Sequence, residues 1–330
     1  MITKTKMLPS VADVKRALPL CGELKKTKEH FDEMLKQNMR QREKLVVVAG
    51  PCSADNPQAI TEYCEKLVAL QNKFPELLVV ARIYTTKPHS SGQGYKGLCF
   101  QTDEGSDVDL ATGIEACRKM MISVLQLGLP IADELLYPEL TTYFDDLVSY
   151  YFVGARSSED SLHRGVASAL DVCCGIKNAT SGLVSGAIKS LMAVSCPCAF
   201  ACNGREVQTD GNEFAHIVLR GGENTAGYFA NLQKENTQNA KTILSGHNLN
   251  NFVMVDLSHA NSYKIAQNQI ENARAVATDP NVDGVMLESY LYAGQSLNSY
   301  GVSKTDDCLD IAQTEQVFEI LAQGFAKRKQ

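Results

Sequence analysis

Short apolar runs alternate with longer amphipathic stretches from residue 46 onward. The runs are almost continuously apolar, which is typical of parallel strands covered by helices on both faces. The predicted strands cover 46–50, 78–82, 129–133, 152–155, 173–177, 198–202, 252–256 and 283–288. The predicted helices cover 57–71, 109–127, 139–150, 159–170, 183–194, 225–244, 262–278 and 309–326. Eight strands, each followed by a helix, predict an α/β protein with a (β/α)8 (TIM) barrel.

One further apolar run, 215–219, does not fit a simple eightfold alternation. It follows the sixth predicted strand, so we expect it to form an inserted β-hairpin with residues 203–214. The rival architecture is a doubly wound open sheet. That architecture lacks support, because no GxGxxG motif follows a predicted strand.

Residues 1–44 differ from the rest of the chain in pattern and charge. Leu24, Phe31, Met34, Leu35 and Met39 recur at helical spacing and predict an amphipathic helix. The segment contains eleven Lys and Arg against six Asp and Glu, which leaves −11 on the remainder. We therefore expect an N-terminal helical arm (1–44) that docks on the main body or another subunit, followed by a catalytic barrel (45–330).

Composition narrows the class of protein. The 330 residues are 44% hydrophobic and 21% charged, which is typical of a soluble globular chain with a sizeable core. The net charge of −6 argues against a nucleic-acid binder. No apolar run approaches the ~18–20 residues of a membrane span, and the N-terminus lacks a hydrophobic signal core. Eleven cysteines without a CxxC motif indicate reduced thiols, so a cytoplasmic location is expected.

Chemically useful side chains follow the predicted strands. Each alone has an ordinary structural explanation, such as a small buried thiol or a surface charge, but a barrel brings all strand ends to one rim. Clustered cations there suit a substrate with a phosphate and a carboxylate. A thiolate, an imidazole and carboxylates suit Zn²⁺, Mn²⁺, Fe²⁺ or Co²⁺, with Asp306 or Asp307 as the fourth ligand. The residues are Cys52, Lys87, Lys96, Arg156, Lys177, Arg220, His259 and Glu288.

Ten motifs occur in the order found in class I 3-deoxy-7-phosphoheptulonate (DAHP) synthases, and the chain resembles that family over residues 12–325. The motifs are GPCS at 50–53, Arg82 with Lys87-Pro88, GYKG at 94–97, GARSSE at 154–159, His163-Arg164, GIKN at 175–178, LRGG at 219–222, DLSHANS at 256–262, LES at 287–289 and SKTD at 303–306.

The resemblance implies a transferase that joins phosphoenolpyruvate to erythrose 4-phosphate, the first step of the shikimate route to aromatic amino acids. It implies one divalent metal ion of unknown identity and a homodimer or homotetramer. The implied metal ligands are Cys52, His259, Glu288 and Asp306. The implied phosphoenolpyruvate ligands are Arg82, Lys96, Arg156, Lys177 and Arg220. Lys87 is implied to lie beside the reacting carbons, so Lys87, Cys52 and His259 are the expected catalytic residues.

The chain departs from the family where the acceptor sugar should bind. The family has Arg-Thr-Thr after Lys87-Pro88, whereas this chain has His89, Ser90 and Ser91. We expect His89 and Ser90 to contact the acceptor less strongly than arginine would, because histidine is largely neutral near pH 7. Two alternatives stay open: an enzyme that joins phosphoenolpyruvate to another aldehyde, and a non-catalytic phosphometabolite-binding protein.

Regulation is a second place of departure. Tyr137, Thr141 and Asp171 stand where effector-sensitive relatives commonly have Asp, Pro and Ser. A tyrosine ring would fill space that an effector needs, and a buried carboxylate would carry a desolvation cost. The sequence therefore favours weak inhibition, or none, by phenylalanine or tyrosine.

Overall fold

A computed structural model describes residues 1–88, 94–102 and 107–328. Eight parallel strands close into a barrel in the order β1-β12-β11-β8-β5-β4-β3-β2, which confirms the predicted (β/α)8 fold. The barrel strands are β1 Leu45–Gly50, β2 Leu77–Arg82, β3 Ile131–Glu134, β4 Tyr150–Val153, β5 Cys173–Lys177, β8 Ala215–Leu219, β11 Val253–Asp256 and β12 Gly284–Glu288. Two antiparallel ribbons are added: β6 Cys198–Cys202 with β7 Arg205–Thr209, and β9 Gly222–Asn224 with β10 Gly227–Phe229.

Helices cover the outside of the barrel. Alternate residues of a strand therefore face two different apolar clusters, one inside the barrel and one between the sheet and the helices. On β1, Val46 and Val48 belong to the inner cluster, whereas Val47 and Ala49 belong to the larger layer between sheet and helices. The helices are α1 Val11–Ala17, α2 Gly22–Gln41, α3 Pro57–Lys73, α4 Leu110–Gln126, α5 Pro138–Thr141, α6 Ser161–Ala169, α7 Val184–Val194, α8 Lys234–Gly246, α9 Asn268–Val276 and α10 Ile311–Arg328. In the described ranges, no helix is both long and apolar enough to cross a membrane.

The assignment of the sixth barrel strand was wrong. Residues 198–202 do not enter the barrel: they form ribbon strand β6, with side chains between half-buried and exposed. The sixth barrel strand is instead β8, which is buried throughout and pairs with β5 and β11. The inserted hairpin near strand six is therefore present, but it precedes that strand. The apolar pattern of 198–202 resembles that of a barrel strand. Its cause is different, because Phe200 packs on Gly165 of α6 outside the barrel.

Three predicted helices are much shorter in the structure, by seven residues or more. The helix predicted over 139–150 is reduced to α5, because Tyr150 already begins β4. The helix predicted over 225–244 begins only at Lys234, after the β9–β10 ribbon. The helix predicted over 262–278 is limited to α9, since a turn-rich segment follows β11.

The arm packs against its own barrel. Leu35 and Met39 of α2 are buried in the inner apolar cluster with Val46 and Phe252. Lys36 of the same helix forms an ion pair of 2.8 Å with Asp171. The apolar stripe predicted for this segment therefore faces the main body, while the division into 1–44 and 45–330 remains an interpretation.

Candidate active site

A cavity of about 540 Å³ lies where the barrel strands end. Arg82 and Lys177 are the last residues of β2 and β5, and both line it. Arg156, Arg220 and His259 follow β4, β8 and β11 within three residues and line it too. The sequence prediction that chemistry gathers at the strand ends is consistent with this arrangement, because a parallel barrel brings all carboxyl ends to one rim.

Three acidic or thiol side chains converge beside the cavity, which one of them, Asp306, lines. Residue Gly50 of β1 pairs with Glu288 of β12, which places Cys52 beside that carboxylate. The ligand atoms of Cys52, Glu288 and Asp306 lie within 4.8 Å of one another. Cys52 Sγ lies 3.2 Å from Asp306 Oδ2.

His259 lies next to this cluster but not within it. Its Nε2 is 3.7 Å from Glu288 Oε1, while its Nδ1 is 2.9 Å from Asp256 Oδ2. Burial lowers the pKa of His259, against the opposing effect of Asp256, and so favours the neutral imidazole. With the Nδ1 proton donated to Asp256, Nε2 has a lone pair toward Glu288, as in a histidine prepared to bind a metal ion.

The donor set fits a divalent cation of borderline softness. Burial, reinforced by Glu288, raises the pKa of the Cys52 thiol to about 12. A cation at this point would favour the thiolate, because a coordinated thiol is deprotonated. One thiol, two carboxylates and an adjacent imidazole are ligands that Zn²⁺, Mn²⁺, Fe²⁺ and Co²⁺ accept.

Lys87 connects this cluster to the rest of the cavity. Its Nζ donates to Cys52 Sγ and, at 2.9 Å, to Asp306 Oδ2. Burial disfavours the ammonium, but the thiol and the carboxylates outweigh burial and raise the pKa of Lys87. Lys87 also holds the pKa of Asp306 below its ordinary value, against the effect of burial. The lysine is therefore protonated at neutral pH and can donate a proton at Nζ.

Two cations near the barrel axis are already paired. Arg82 is 1% exposed, forms an ion pair of 3.1 Å with Glu288 and donates to the Pro51 carbonyl. Its Nε is buried and has no hydrogen-bond partner among the residues that the structure describes. Lys177 Nζ donates to Asp256 Oδ2 at 3.0 Å. The pKa of Asp256 is held well below its ordinary range because His259 and Lys177 outweigh its burial.

Arg156 and Arg220 differ from those two. Both line the cavity, and within the ranges the structure describes neither has a carboxylate oxygen within 4.0 Å. Arg220 is 8% exposed, and its burial together with neighbouring Arg156 lowers its pKa, although Asp256 partly offsets this. Two neighbouring guanidinium groups that no described carboxylate contacts are suited to a small polyvalent anion.

Not every expected residue reaches the cavity. Lys96 is half-buried and is absent from the lining, although its carbonyl accepts from the Lys87 backbone N–H at 2.9 Å. His89 and Ser90 lie outside the described residues. Tyr137 is 46% exposed and its ring lies 5.2 Å from that of Phe100. Because the Asp171 side chain is 95% exposed in this chain, it carries no desolvation cost here.

Sequence reasoning missed several residues of the site. Asp256 and Glu134 end β11 and β3, so their position after apolar runs was an available signal. Glu134 also lies close to Gly154, since a Cβ added there would be 2.1 Å from Glu134 Oε1 and would displace that carboxylate. Lys264 and Lys304 line the cavity from long loops, where no periodic pattern identifies them.

Known proteins resemble this chain along its whole length. A sequence profile described as the DAHP synthetase I family matches residues 24–323. Phospho-2-dehydro-3-deoxyheptonate aldolase AMT16 of Alternaria alternata is 35% identical over 89% of this chain and 82% of its own. The Phe-sensitive aldolase of that name from Escherichia coli K12 is 32% identical over 98% and 95%.

A solved structure agrees with these sequence matches. The phospho-2-dehydro-3-deoxyheptonate aldolase of Francisella tularensis SCHU S4 superposes with a TM-score of 0.93 and 31% identity, covering 99% of both chains. The fold, the identity and the profile match lead to one conclusion. This chain belongs to the DAHP synthetase I family.

Proposed function

We propose that this protein is a metal-dependent DAHP synthase, which condenses phosphoenolpyruvate with erythrose 4-phosphate and releases phosphate. The observation that carries the proposal is the pair Arg156 and Arg220, two guanidinium groups that no carboxylate of the described chain contacts. They share one cavity with Asp306 of the Cys52–Glu288–Asp306 cluster. Membership of the family supports the same reaction.

The cations divide into two groups around the donor substrate. Arg156 and Arg220 bind the phosphate of phosphoenolpyruvate, because no carboxylate of the described chain contacts them and bidentate guanidinium geometry matches phosphate. Arg82 and Lys177 lie deeper, held by Glu288 and Asp256, and orient the carboxylate. We keep Lys96 as a proposed ligand, although its side chain would have to turn toward the cavity.

Cys52, His259, Glu288 and Asp306 would hold the metal ion. When bound, such an ion supplies Lewis-acid polarisation of the acceptor aldehyde or activation of a water. Asp256 fixes the His259 tautomer by accepting from Nδ1, and Lys177 and the Ser258 hydroxyl fix Asp256 in turn.

The reaction makes one carbon–carbon bond and replaces one carbon–oxygen bond with another. C3 of phosphoenolpyruvate attacks the aldehyde carbon of the acceptor, and the aldehyde oxygen takes up a proton. The ammonium of Lys87 is placed to donate that proton at Nζ. Water then adds at C2 and forms a new carbon–oxygen bond, and the proton that the water loses restores the Lys87 ammonium. Phosphate leaves from the same carbon, with Arg156 and Arg220 stabilising its charge.

A second candidate function is the condensation of phosphoenolpyruvate with a different aldehyde. It is favoured by His89, Ser90 and Ser91, which replace the Arg-Thr-Thr of the family. A non-catalytic binding protein is disfavoured, because a sensor does not need the converging thiol and carboxylates. The homodimer or homotetramer and the cytoplasmic location expected from the sequence remain predictions.

The donor site is tested by measuring phosphoenolpyruvate binding in a titration calorimeter. Arg220→Gln should weaken binding about 10–100-fold, because a charge-assisted hydrogen bond to phosphate is lost. Arg274→Gln is the matched control, since that exposed arginine on α9 pairs with Glu271 and lies outside the cavity lining. Unchanged affinity in both Arg220→Gln and Arg156→Gln would show that the donor phosphate binds elsewhere.

A further inference from the structure

A cation that the proposed function does not use lies on the opposite side of the cavity from Arg156 and Arg220. Lys304 belongs to the loop between β12 and α10, is half-buried and lines the cavity. Its Nζ lies 5.0 Å from the centroid of the Tyr95 ring. The described chain offers this ammonium no carboxylate oxygen within 4.0 Å, whereas Lys87 and Lys177 each have one.

The Tyr95 ring provides a fixed platform for this ammonium. Tyr95 is 5% exposed, and its hydroxyl lies 3.1 Å from the Gln101 carbonyl and 3.3 Å from the Ala54 carbonyl. A cation over a tyrosine face is attracted by the ring, and the buried ring limits where the side chain can go. Lys304 is therefore positioned beside the cavity with an ammonium that interacts with Asp55 electrostatically but contacts no carboxylate of the described chain.

Barrel topology separates this charge from the donor phosphate site. Arg156 and Arg220 follow β4 and β8, which flank β5, whereas Lys304 follows β12 and Tyr95 follows β2, which flank β1. In a closed barrel of eight strands, β1 and β5 are on opposite sides. The topology therefore puts Lys304 and the two arginines on different sides of the cavity, with Lys304 two residues before Asp306 of the Cys52–Glu288–Asp306 cluster.

We propose that Lys304 is a specificity-determining residue that binds the phosphate of the acceptor aldehyde. The inference rests on the proposed function, because it assumes that phosphoenolpyruvate occupies the Arg156–Arg220 side. An acceptor with its aldehyde at the metal cluster and its phosphate at Lys304 would span this half of the cavity. The enzyme would then select a phosphorylated aldehyde although arginine is missing at position 89.

The test compares phosphorylated and unphosphorylated acceptors. Lys304→Met keeps the length of the side chain and removes its charge. It should raise KM for erythrose 4-phosphate about 10–100-fold, as expected for one lost charge-assisted hydrogen bond. KM for phosphoenolpyruvate should change less than about twofold, and turnover of unphosphorylated erythrose should be unaffected. Lys304→Arg should restore most of the affinity.

Lys264 is the comparison on the other side of the cavity. It also lies over a tyrosine, with Nζ 5.6 Å from the Tyr228 centroid, but it is exposed and follows β11. The control is Lys73→Met, because Lys73 is exposed, lies 5.4 Å from the Phe74 centroid and is outside the cavity lining, so KM for both substrates should be unchanged. Thermal melting and metal content of every variant separate an acceptor effect from damage to the fold or to neighbouring Asp306.

Several results would overturn the assignment. One is an unchanged KM for erythrose 4-phosphate in Lys304→Met, and another is an equal rise in KM for both substrates. A raised KM for erythrose 4-phosphate in Lys264→Met but not in Lys304→Met would place the acceptor phosphate on the other side of the cavity. If the natural protein turns over only unphosphorylated aldehydes, the inference also fails. Failure of the proposed function has a different signature. In that case no aldehyde, phosphorylated or not, would support consumption of phosphoenolpyruvate by the natural protein.

Discussion

Lys87 shows how one side chain connects the parts of this site. Its ammonium reaches Cys52 and Asp306, and its backbone N–H is held by the Lys96 carbonyl. The surrounding thiol and carboxylates raise its pKa, against the effect of burial, so the proton remains on Nζ. The proposed role as proton donor thus depends on the same acidic groups that would hold the metal ion.

A neighbouring carboxyl group should make the stability of the fold depend on pH. Asp133 is 3% exposed, and burial raises its pKa to about 7 despite hydrogen bonds from Thr85. Its unfolded value is about 4. Between these two values the folded chain binds more protons than the unfolded chain, so this contribution to stability is present near pH 4 and lost as pH rises through 7.

Urea unfolding at pH 5 and pH 7.5 measures this contribution. Asparagine is uncharged, like the protonated carboxyl. Asp133→Asn should therefore reduce the decrease in the free energy of unfolding between pH 5 and pH 7.5. Asp145→Asn, at an exposed carboxylate paired with Lys15, should keep the pH dependence of the natural protein. Identical pH profiles for Asp133→Asn and the natural protein would contradict the assigned role of Asp133.

Single residues at strand ends could be predicted from the sequence because the barrel itself fixes where they meet. Cys52, Lys177, Arg220 and Glu288 follow or end apolar runs, so one periodic pattern locates them all. Lys304 could not be located in this way, because its place over Tyr95 depends on the path of a long loop. Lys304 and Tyr95 are far apart in the sequence, and the local hydrophobic pattern carries no information about contacts of this kind.

At the scale of elements, the ribbon β6–β7 shows the limit of hydrophobic pattern. The run 198–202 is apolar because Phe200 packs on α6, whereas 215–219 is apolar because it is a barrel strand. Periodicity alone does not distinguish these two causes of burial. The sheet order decides between them, since β8 bridges β5 and β11.

This packing predicts the effect of a single methyl group. A Cβ added at Gly165 of α6 would lie 2.8 Å from the Phe200 ring, so Gly165→Ala must displace either the ring or the ribbon. Overpacking of this kind costs about 1–3 kcal/mol, and thermal melting should show it. Gly246→Ala is the control, because nothing lies within 4 Å of its added Cβ. Equal melting temperatures for Gly165→Ala and the control would exclude close packing of the ribbon on α6.

At the scale of the whole molecule, one end of the barrel is closed by apolar packing and the other end carries the candidate active site. The arm helix α2 covers one end with Leu35 and Met39, which join the inner apolar cluster. The other end carries the cavity, with guanidinium groups on one side and the acidic cluster on the other. The arm's amphipathic pattern predicted its buried face, but the choice between its own barrel and another subunit needed the structure.

The central claim is that a divalent ion at Cys52 and the donor site act together in one condensation. The most direct measurement is phosphate release from phosphoenolpyruvate with erythrose 4-phosphate, after chelation and again after Mn²⁺ is added. We expect the chelated protein to be inactive, and Mn²⁺ to restore release of one phosphate per phosphoenolpyruvate consumed in the natural protein but not in Cys52→Ala. Full activity after rigorous chelation, or equal restoration in Cys52→Ala, would contradict the account.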